Sequence, residues 1–283
     1  MSAVIDIATL AANEVNEDRA GAAGAFTWVI DGATDVIETP LTKAATDASW
    51  IAETLDSLLR QLSDTPPPDL ADLPAILTGA LQSEFRRAAK RQPIGRHEHP
   101  SAAGLIVRTN VAHLDYVAVG DCSLLVTTSA GVLRSGVNEK DAGDLWVADA
   151  LRTFRARHPE AGLDAAHAHL WPKLGAARWA MNQSDGYGVF SLTPTPLSFI
   201  KRGTQQVTPE GHALLASDGL MRLVDVFRLY TAEELLGAAV NRGLASVAQE
   251  VRALEEADRD CLQFPRAKRC DDATGVLLSF STS

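Results

Sequence analysis

Apolar segments that end abruptly at an aspartate are the feature that most constrains the fold of this chain. The alternating run 26–31 stops at an Asp-Gly pair, and the run 213–218 does the same. Short apolar runs bounded in this way predict strands followed by sharp turns. Because carboxylates recur at several predicted strand ends, we expect them to share one site. The candidate members are Asp31, Asp121, Asp218 and Asp271.

An acidic pair, Glu17-Asp18, precedes the first of these strands. The small-residue segment 20–25 lies between the pair and the strand and contains two glycines. It predicts two short strands joined by a turn, an arrangement that brings Glu17 or Asp18 back beside Asp31. The residues leave open which of the two faces the site.

Length and composition limit the class of protein. The 283 residues, 46% of them hydrophobic, can fill the core of one large domain spanning 1–283. The net charge of −10 argues against a nucleic-acid partner, because phosphate backbones demand an excess of Lys and Arg. The N-terminus lacks the basic start of a signal peptide, and no apolar run approaches membrane-spanning length. We therefore expect a cytoplasmic protein without a membrane partner.

Helix-like and strand-like periodicities alternate along the chain. Apolar residues at three- and four-residue intervals predict helices over 41–62, 70–91 and 231–254, the last capped by Thr231. Short or alternating apolar runs predict further strands over 103–108, 111–119, 124–128, 197–201, 213–216 and 273–280. The turn at Gly120-Asp121 predicts a hairpin between the second and third of these strands, with Asp121 at its tip.

The middle of the chain, around 138–190, has a different character. Two helices rich in Ala and Leu are predicted over 145–158 and 163–174, and Pro159 and Pro172 interrupt them. A strong Gly-containing turn follows them before the strands resume. We therefore predict a flap or insert within the domain at this place.

The predicted cluster of carboxylates has a chemical consequence. Several negative charges within a few ångströms repel one another and take up protons unless cations neutralise them. Oxygen ligands without His or Cys favour hard divalent ions such as Mg²⁺ or Mn²⁺. Two such ions about 3.5–4 Å apart can bridge a water, lower its pKa and hold a phosphoryl oxygen. The pattern therefore indicates hydrolysis of phosphate esters.

Five ordered motifs resemble those of one family. They are Asn16-Glu17-Asp18, Asp31-Gly32, Gly120-Asp121, Ser217-Asp218-Gly219 and Asp271-Asp272-Ala273-Thr274. In this order and at these separations they resemble the bacterial type of the metal-dependent PPM phosphatases, the protein phosphatase 2C family of serine/threonine phosphatases. One Asp-Gly pair is not specific, but five ordered motifs over nearly the whole chain are. The resemblance implies an α+β fold, a four-layer α-β-β-α sandwich of two mostly antiparallel sheets flanked by helices.

The resemblance also implies roles for the acidic residues. Asp31 would bridge two Mn²⁺ or Mg²⁺ ions, and Asp31 and Asp218 would be the central catalytic residues. The remaining implied ligands are Asp218 and Asp271 on the first ion, the Gly32 carbonyl with Glu17 or Asp18 on the second, and Asp121 on a weaker third. A metal-bridged water would attack phosphoserine or phosphothreonine in line. The implied partners are a phosphoprotein substrate and an opposing serine/threonine kinase.

The chain departs from the family pattern around the substrate. Asn13 stands where many members carry an Arg that grips the phosphate, and Thr34-Asp35 replaces a Gly-Gly pair. Arg19 or the basic loop 266–269 would have to supply the missing cation. Two alternatives therefore stay open. One is a phosphatase for small phosphorylated molecules, and the other is a weakly active, phosphatase-like binding or regulatory protein.

Overall fold

Two antiparallel sheets form the centre of the molecule. The computed structural model describes residues 2–37, 39–110, 112–136 and 143–281. The strands are β1 (Ser2–Leu10), β2 (Asp18–Ala23), β3 (Phe26–Gly32), β4 (Ser101–Thr109), β5 (His113–Val119), β6 (Ser123–Thr128), β7 (Gly131–Ser135), β8 (Phe190–Ser191), β9 (Lys201–Gln206), β10 (His212–Ala216) and β11 (Ala273–Phe280). The helices are α1 (Asp47–Leu62), α2 (Leu73–Ala88), α3 (Gly143–Arg157), α4 (Leu163–Arg178), α5 (Asp218–Asp225), α6 (Ala232–Arg242) and α7 (Leu244–Ala257).

The sheets and helices stack in four layers. One sheet has the strand order β1-β11-β10-β6-β7, and the other has the order β2-β3-β4-β5-β9, with β8 beside β4. Helices α1 and α2 pack on the second sheet, and α5, α6 and α7 pack on the first. This arrangement confirms the predicted α-β-β-α sandwich. None of the helices in the described ranges is both long and apolar enough to cross a membrane.

Strand β3 shows how the sequence pattern builds these layers. Successive side chains of a strand point to opposite faces of its sheet. Val29 accordingly packs in the core between the sheets, with Leu105 and Leu215, whereas Trp28 and Ile30 pack under the outer helices. All of these side chains are buried, and each contributes roughly 1.5–3 kcal/mol of hydrophobic free energy. A strand that is apolar on both faces is therefore held in register by two cores.

The hairpin between β2 and β3 confirms the predicted return of the chain. Gly24 turns it with a φ of +54°, a region that favours glycine. The antiparallel register places Asp18 opposite Asp31. The predicted strands over 213–216 and 273–280 are also confirmed, as β10 and β11.

The predicted hairpin with Asp121 at its tip is wrong. Strand β5 pairs with β4 and β9 in one sheet, whereas β6 pairs with β7 and β10 in the other. Gly120, with a φ of +89°, turns the chain from the first sheet to the second. Tight packing against Ala103 leaves no space for a side chain at Gly120. Asp121 therefore lies on a crossing between the sheets.

Several predicted helix and strand limits differ from the observed ones. Helix α1 begins six residues later than predicted, because Thr46 caps it and the Asp47 carboxylate holds the preceding loop by accepting backbone N–H groups. The predicted helix 231–254 is two helices, since Gly243, with a φ of +80°, separates them. The predicted Thr231 cap is confirmed and forms a reciprocal capping box with Glu234.

Two further differences concern the middle of the chain. Pro172 lies inside α4, which continues to Arg178 instead of stopping near residue 174. The predicted strand 197–201 is a short 3₁₀ turn, Leu197–Phe199, before β9. Part of the insert predicted around 138–190, residues 138–142, lies outside the described residues.

Candidate active site

Four aspartates meet at one end of the sandwich, and we call Asp18, Asp31, Asp218 and Asp271 the acidic centre. Asp18 opens β2, and Asp31 is the penultimate residue of β3. Asp218 opens α5 directly after β10, and Asp271 lies just before β11. Because β2–β3 and β10–β11 belong to different sheets, the centre spans both.

Backbone contacts join the β10 end to the β11 start. The Ser217 N–H donates to the Thr274 carbonyl at 2.9 Å, and the Thr274 N–H donates to the Ser217 hydroxyl at 3.0 Å. A Cβ added to Gly219 would lie only 1.9 Å from the Asp272 carbonyl oxygen. The glycine after Asp218 is therefore required for the close approach that brings Asp218 beside Asp271.

Asp18, Asp31 and Asp218 lie where a negative charge is disfavoured. Burial, reinforced by the neighbouring carboxylates, raises the pKa of each of the three. Asp18 is 2% exposed, and within the described residues its Oδ2 has no hydrogen-bond partner. Asp218 is close enough to raise the pKa of Asp31, after burial and Asp18. Because ionised carboxylates that lie close together repel one another, these side chains favour either bound protons or a nearby cation.

Asp271 has the opposite electrostatic environment. Burial alone would raise the pKa of Asp271, but Lys268 and Arg222 lower it below its ordinary value. Lys268 Nζ lies 2.9 Å from Asp271 Oδ1, and an Arg222 guanidinium nitrogen lies 2.8 Å from Oδ2. Both carboxylate oxygens are therefore held by cations of the chain itself.

Glu17 and Asp18 occupy different positions relative to this centre. Asp18 lies within the acidic centre, where burial and then the neighbouring carboxylates, Asp271 and Asp218 among them, raise its pKa. The Glu17 carboxylate instead accepts a hydrogen bond from the Thr34 hydroxyl at 2.8 Å, at the surface. The structure thus brings Asp18 into the acidic centre and leaves Glu17 at its rim.

Gly32 and Asp121 complete the set of predicted residues. The Gly32 N–H donates to the Glu17 carbonyl at 3.1 Å, and a Cβ at Gly32 would lie 2.6 Å from that same oxygen. Asp121 is close enough to raise the pKa of Asp31, after burial, Asp18 and Asp218. Asp272, by contrast, fixes the backbone between β1 and β2. Its carboxylate accepts hydrogen bonds from the Ala12 and Glu17 N–H groups, both at 2.6 Å.

The whole structure is similar to solved bacterial phosphatases. The serine/threonine phosphatase PstP/Ppp of Mycobacterium tuberculosis has 15% sequence identity and a TM-score of 0.54, over 100% of this chain and 99% of that one. The S. agalactiae serine/threonine phosphatase has 11% identity and a TM-score of 0.56, over 100% of both chains. The chain has the PPM phosphatase fold. The serine/threonine phosphatase Stp1 from Staphylococcus aureus has 11% identity and a TM-score of 0.52, over 99% of this chain and 96% of that one.

Sequence comparison finds no match for this chain, although structure comparison does. No family model matches the chain, and no curated protein matches it. The catalytic domain of PstP, solved with two manganese ions, has 15% identity and a TM-score of 0.54. At such identities the comparison shows the PPM phosphatase fold, and the site must be judged from this chain's own residues.

The donors of the acidic centre suit a hard divalent cation on one side. The unpartnered Asp18 oxygen and the neighbouring Asp31 and Asp218 supply carboxylate oxygens where a negative charge is disfavoured. On the Asp271 side a cation would have to displace Lys268. Among the described residues, no three Asp, Glu, His or Cys side chains already stand in an arrangement that would hold a metal ion.

Two arginines at the site were not predicted. Arg222 lies four residues after Asp218 on α5, so one helical turn places both on the same face. This spacing is the sequence signal that could have predicted Arg222 at the site. Arg178, from the predicted insert, donates to the carbonyls of Ala33 and Thr34 at 2.9 and 2.5 Å. No sequence pattern links Arg178 to this loop, because the contact joins segments more than 140 residues apart.

Proposed function

We propose that this chain is a metal-dependent phosphomonoester hydrolase acting on phosphoserine and phosphothreonine in proteins. The observation that carries the proposal is the acidic centre, in which four carboxylates, three of them with raised pKa values, converge at one end of a PPM phosphatase fold. Such a centre is stable at neutral pH only with a counter-charge, which protons or divalent cations can supply. A serine/threonine kinase would be the enzyme that makes its substrate.

The residues of the centre have distinct tasks in this proposal. Asp31 and Asp218 would together hold Mn²⁺ or Mg²⁺, with Asp18 and the Gly32 carbonyl on one side and Asp271 on the other. Glu17 would act at the rim, and Asp121 would contribute to a weaker third site. Two ions, as in the manganese complex of the PstP domain, would supply a water of lowered pKa and neutralise phosphate charge.

A phosphatase assay tests this proposal. We expect hydrolysis of p-nitrophenyl phosphate with Mn²⁺ or Mg²⁺, none with EDTA, and a loss of at least about 100-fold in Asp218→Asn. Asp225→Asn is the matched control, because Asp225 lies on the same helix but pairs with Arg134 at the surface. Phosphoserine and phosphothreonine peptides, compared with small phosphate esters, then separate protein substrates from the small-molecule alternative.

One observation favours a second candidate, a phosphatase-like binding protein. Both oxygens of Asp271 are already paired with Lys268 and Arg222, so this side of the centre has its counter-charge without a metal ion. A folded wild-type protein that binds a phosphopeptide but releases no phosphate with either metal would select this candidate and overturn the enzyme proposal.

A further inference from the structure

A phosphate monoester carries about two negative charges at neutral pH, so it needs a cation to hold it beside carboxylates. Two buried arginines near the acidic centre already have fixed partners. Arg222, 3% exposed, pairs with Glu255 as well as Asp271. Arg178, 8% exposed, donates to two backbone carbonyls and to the Ser101 hydroxyl. Neither guanidinium can turn to a substrate without leaving buried acceptors unpaired.

The other two candidate arginines are engaged as well. Arg19 donates to the carbonyls of Asn16 and Asp18 and forms an ion pair with Glu53. Arg266 is 1% exposed and pairs with a buried carboxylate of the same loop at 2.8 Å. The guanidinium groups of both arginines are therefore already paired with acceptors of the chain itself.

Lys268 differs from these arginines in exposure and in partner. Its side chain is 41% exposed, and its ammonium lies 2.9 Å from Asp271 Oδ1. Burial lowers the pKa of Lys268, but Asp271, Asp31 and Asp218 raise it by more, so the side chain stays charged. Its flexible four-carbon stem allows the charge to move by several ångströms.

Asp271 tolerates the departure of Lys268. Its second oxygen stays paired with Arg222, and the Asp272 N–H donates to Oδ1 at 3.2 Å. Lys268 can therefore exchange its carboxylate partner for another anion at the mouth of the centre without leaving a buried charge alone. A divalent cation that binds Asp271 would displace the ammonium from Oδ1 and leave it free to pair with another anion.

We propose that Lys268 is the phosphate-binding cation of this site, held on Asp271 until a substrate arrives. The inference rests on the proposed function for its substrate class, a phosphomonoester. It assigns to the basic loop before β11 the task of holding the phosphoryl group.

Calorimetric binding of inorganic phosphate in the presence of Mg²⁺ tests this assignment without requiring turnover. Lys268→Met should weaken phosphate binding at least about tenfold, because a charged hydrogen bond is lost. The same variant should bind Mg²⁺ at least as tightly as wild type, since the competing ammonium is gone. Lys268→Arg, which keeps the charge, should recover part of the phosphate affinity.

Arg269→Gln is the matched control, because it removes a positive charge from the next position of the same loop, where Arg269 is exposed. We expect it to change phosphate affinity less than about twofold. Unchanged phosphate affinity in Lys268→Met, an equal loss in Arg269→Gln, or no phosphate binding by wild type would overturn the assignment. If wild type binds phosphate through Lys268 but hydrolyses no ester, the assignment stands and the enzyme proposal fails.

Discussion

On one side of the acidic centre, Asp18 and Asp31 both have raised pKa values, and among the described residues Asp18 Oδ2 has no hydrogen-bond partner. On the other side, Asp271 has a lowered pKa and two cationic partners, Lys268 and Arg222. The residue type is the same and the burial is similar, so the neighbouring charges decide the difference. On one side burial and neighbouring carboxylates disfavour the ionised form, and on the other side cations of the chain itself favour it.

The largest expected effect comes from removing the buried cation. Arg222→Met should lower the free energy of unfolding by about 3–5 kcal/mol, because Asp271 and Glu255 each lose a buried ion-pair partner. Urea denaturation monitored by fluorescence measures the change. Arg134→Met, which breaks a more exposed pair with Asp225, should cost less than about 1 kcal/mol. Equal losses in the two variants would show that the ion pairs of Arg222 on the Asp271 side contribute no more than a surface pair.

A pair of isosteric substitutions compares the two sides directly. In EDTA at pH 7.5, Asp31→Asn should raise the free energy of unfolding by about 1–2 kcal/mol, since it removes a charge that burial and four neighbouring carboxylates disfavour. Asp271→Asn should lower it by about 2 kcal/mol, because Lys268 and Arg222 lose their partner. Changes of the same sign would show that the sides are electrostatically equivalent.

The smallest expected effect concerns Asp35, next to the rim of the centre. Burial, with Asp47 and Glu17, raises the pKa of Asp35 to about 6. Between its ordinary pKa and about 6 the folded state binds more protons than the unfolded state, so stability from Asp35 falls as pH rises through this window.

Asp35→Asn should therefore gain stability relative to wild type between pH 4 and pH 7, by about 1 kcal/mol after allowance for partial exposure. The amide oxygen can still accept the Asp47 N–H, which donates to Asp35 at 2.8 Å. Thermal unfolding of both proteins in EDTA across this pH range measures the difference. A difference that does not vary with pH would assign Asp35 an ordinary pKa.

Local pattern predicted much of the framework around the site. The Asp-Gly ends of β3 and β10, the β2–β3 hairpin and the Thr231 cap each depend on residues close in sequence, and each is observed. The crossing at Gly120 was predicted as a hairpin instead, because a tight turn between two apolar runs looks the same whether the strands pair or join different sheets.

The charge state of the centre could not be predicted in the same way. Lys268 lies only three residues from Asp271, but Arg222 is 49 residues away, and packing of α5 against the start of β11 brings it there. Likewise, the choice between Glu17 and Asp18 depends on which face of β2 points inward, and Asp18 does so opposite Asp31.

The sequence by itself therefore determined that carboxylates end several strands, since apolar periodicity and Asp-Gly turns are local properties of the chain. The tertiary structure alone decided which strands share a sheet, which acid of the Glu17-Asp18 pair is buried, and which aspartate pairs with Arg222. The physical reason is that burial and Coulomb energy depend on distances across the fold, and these distances are set by packing between residues far apart in sequence.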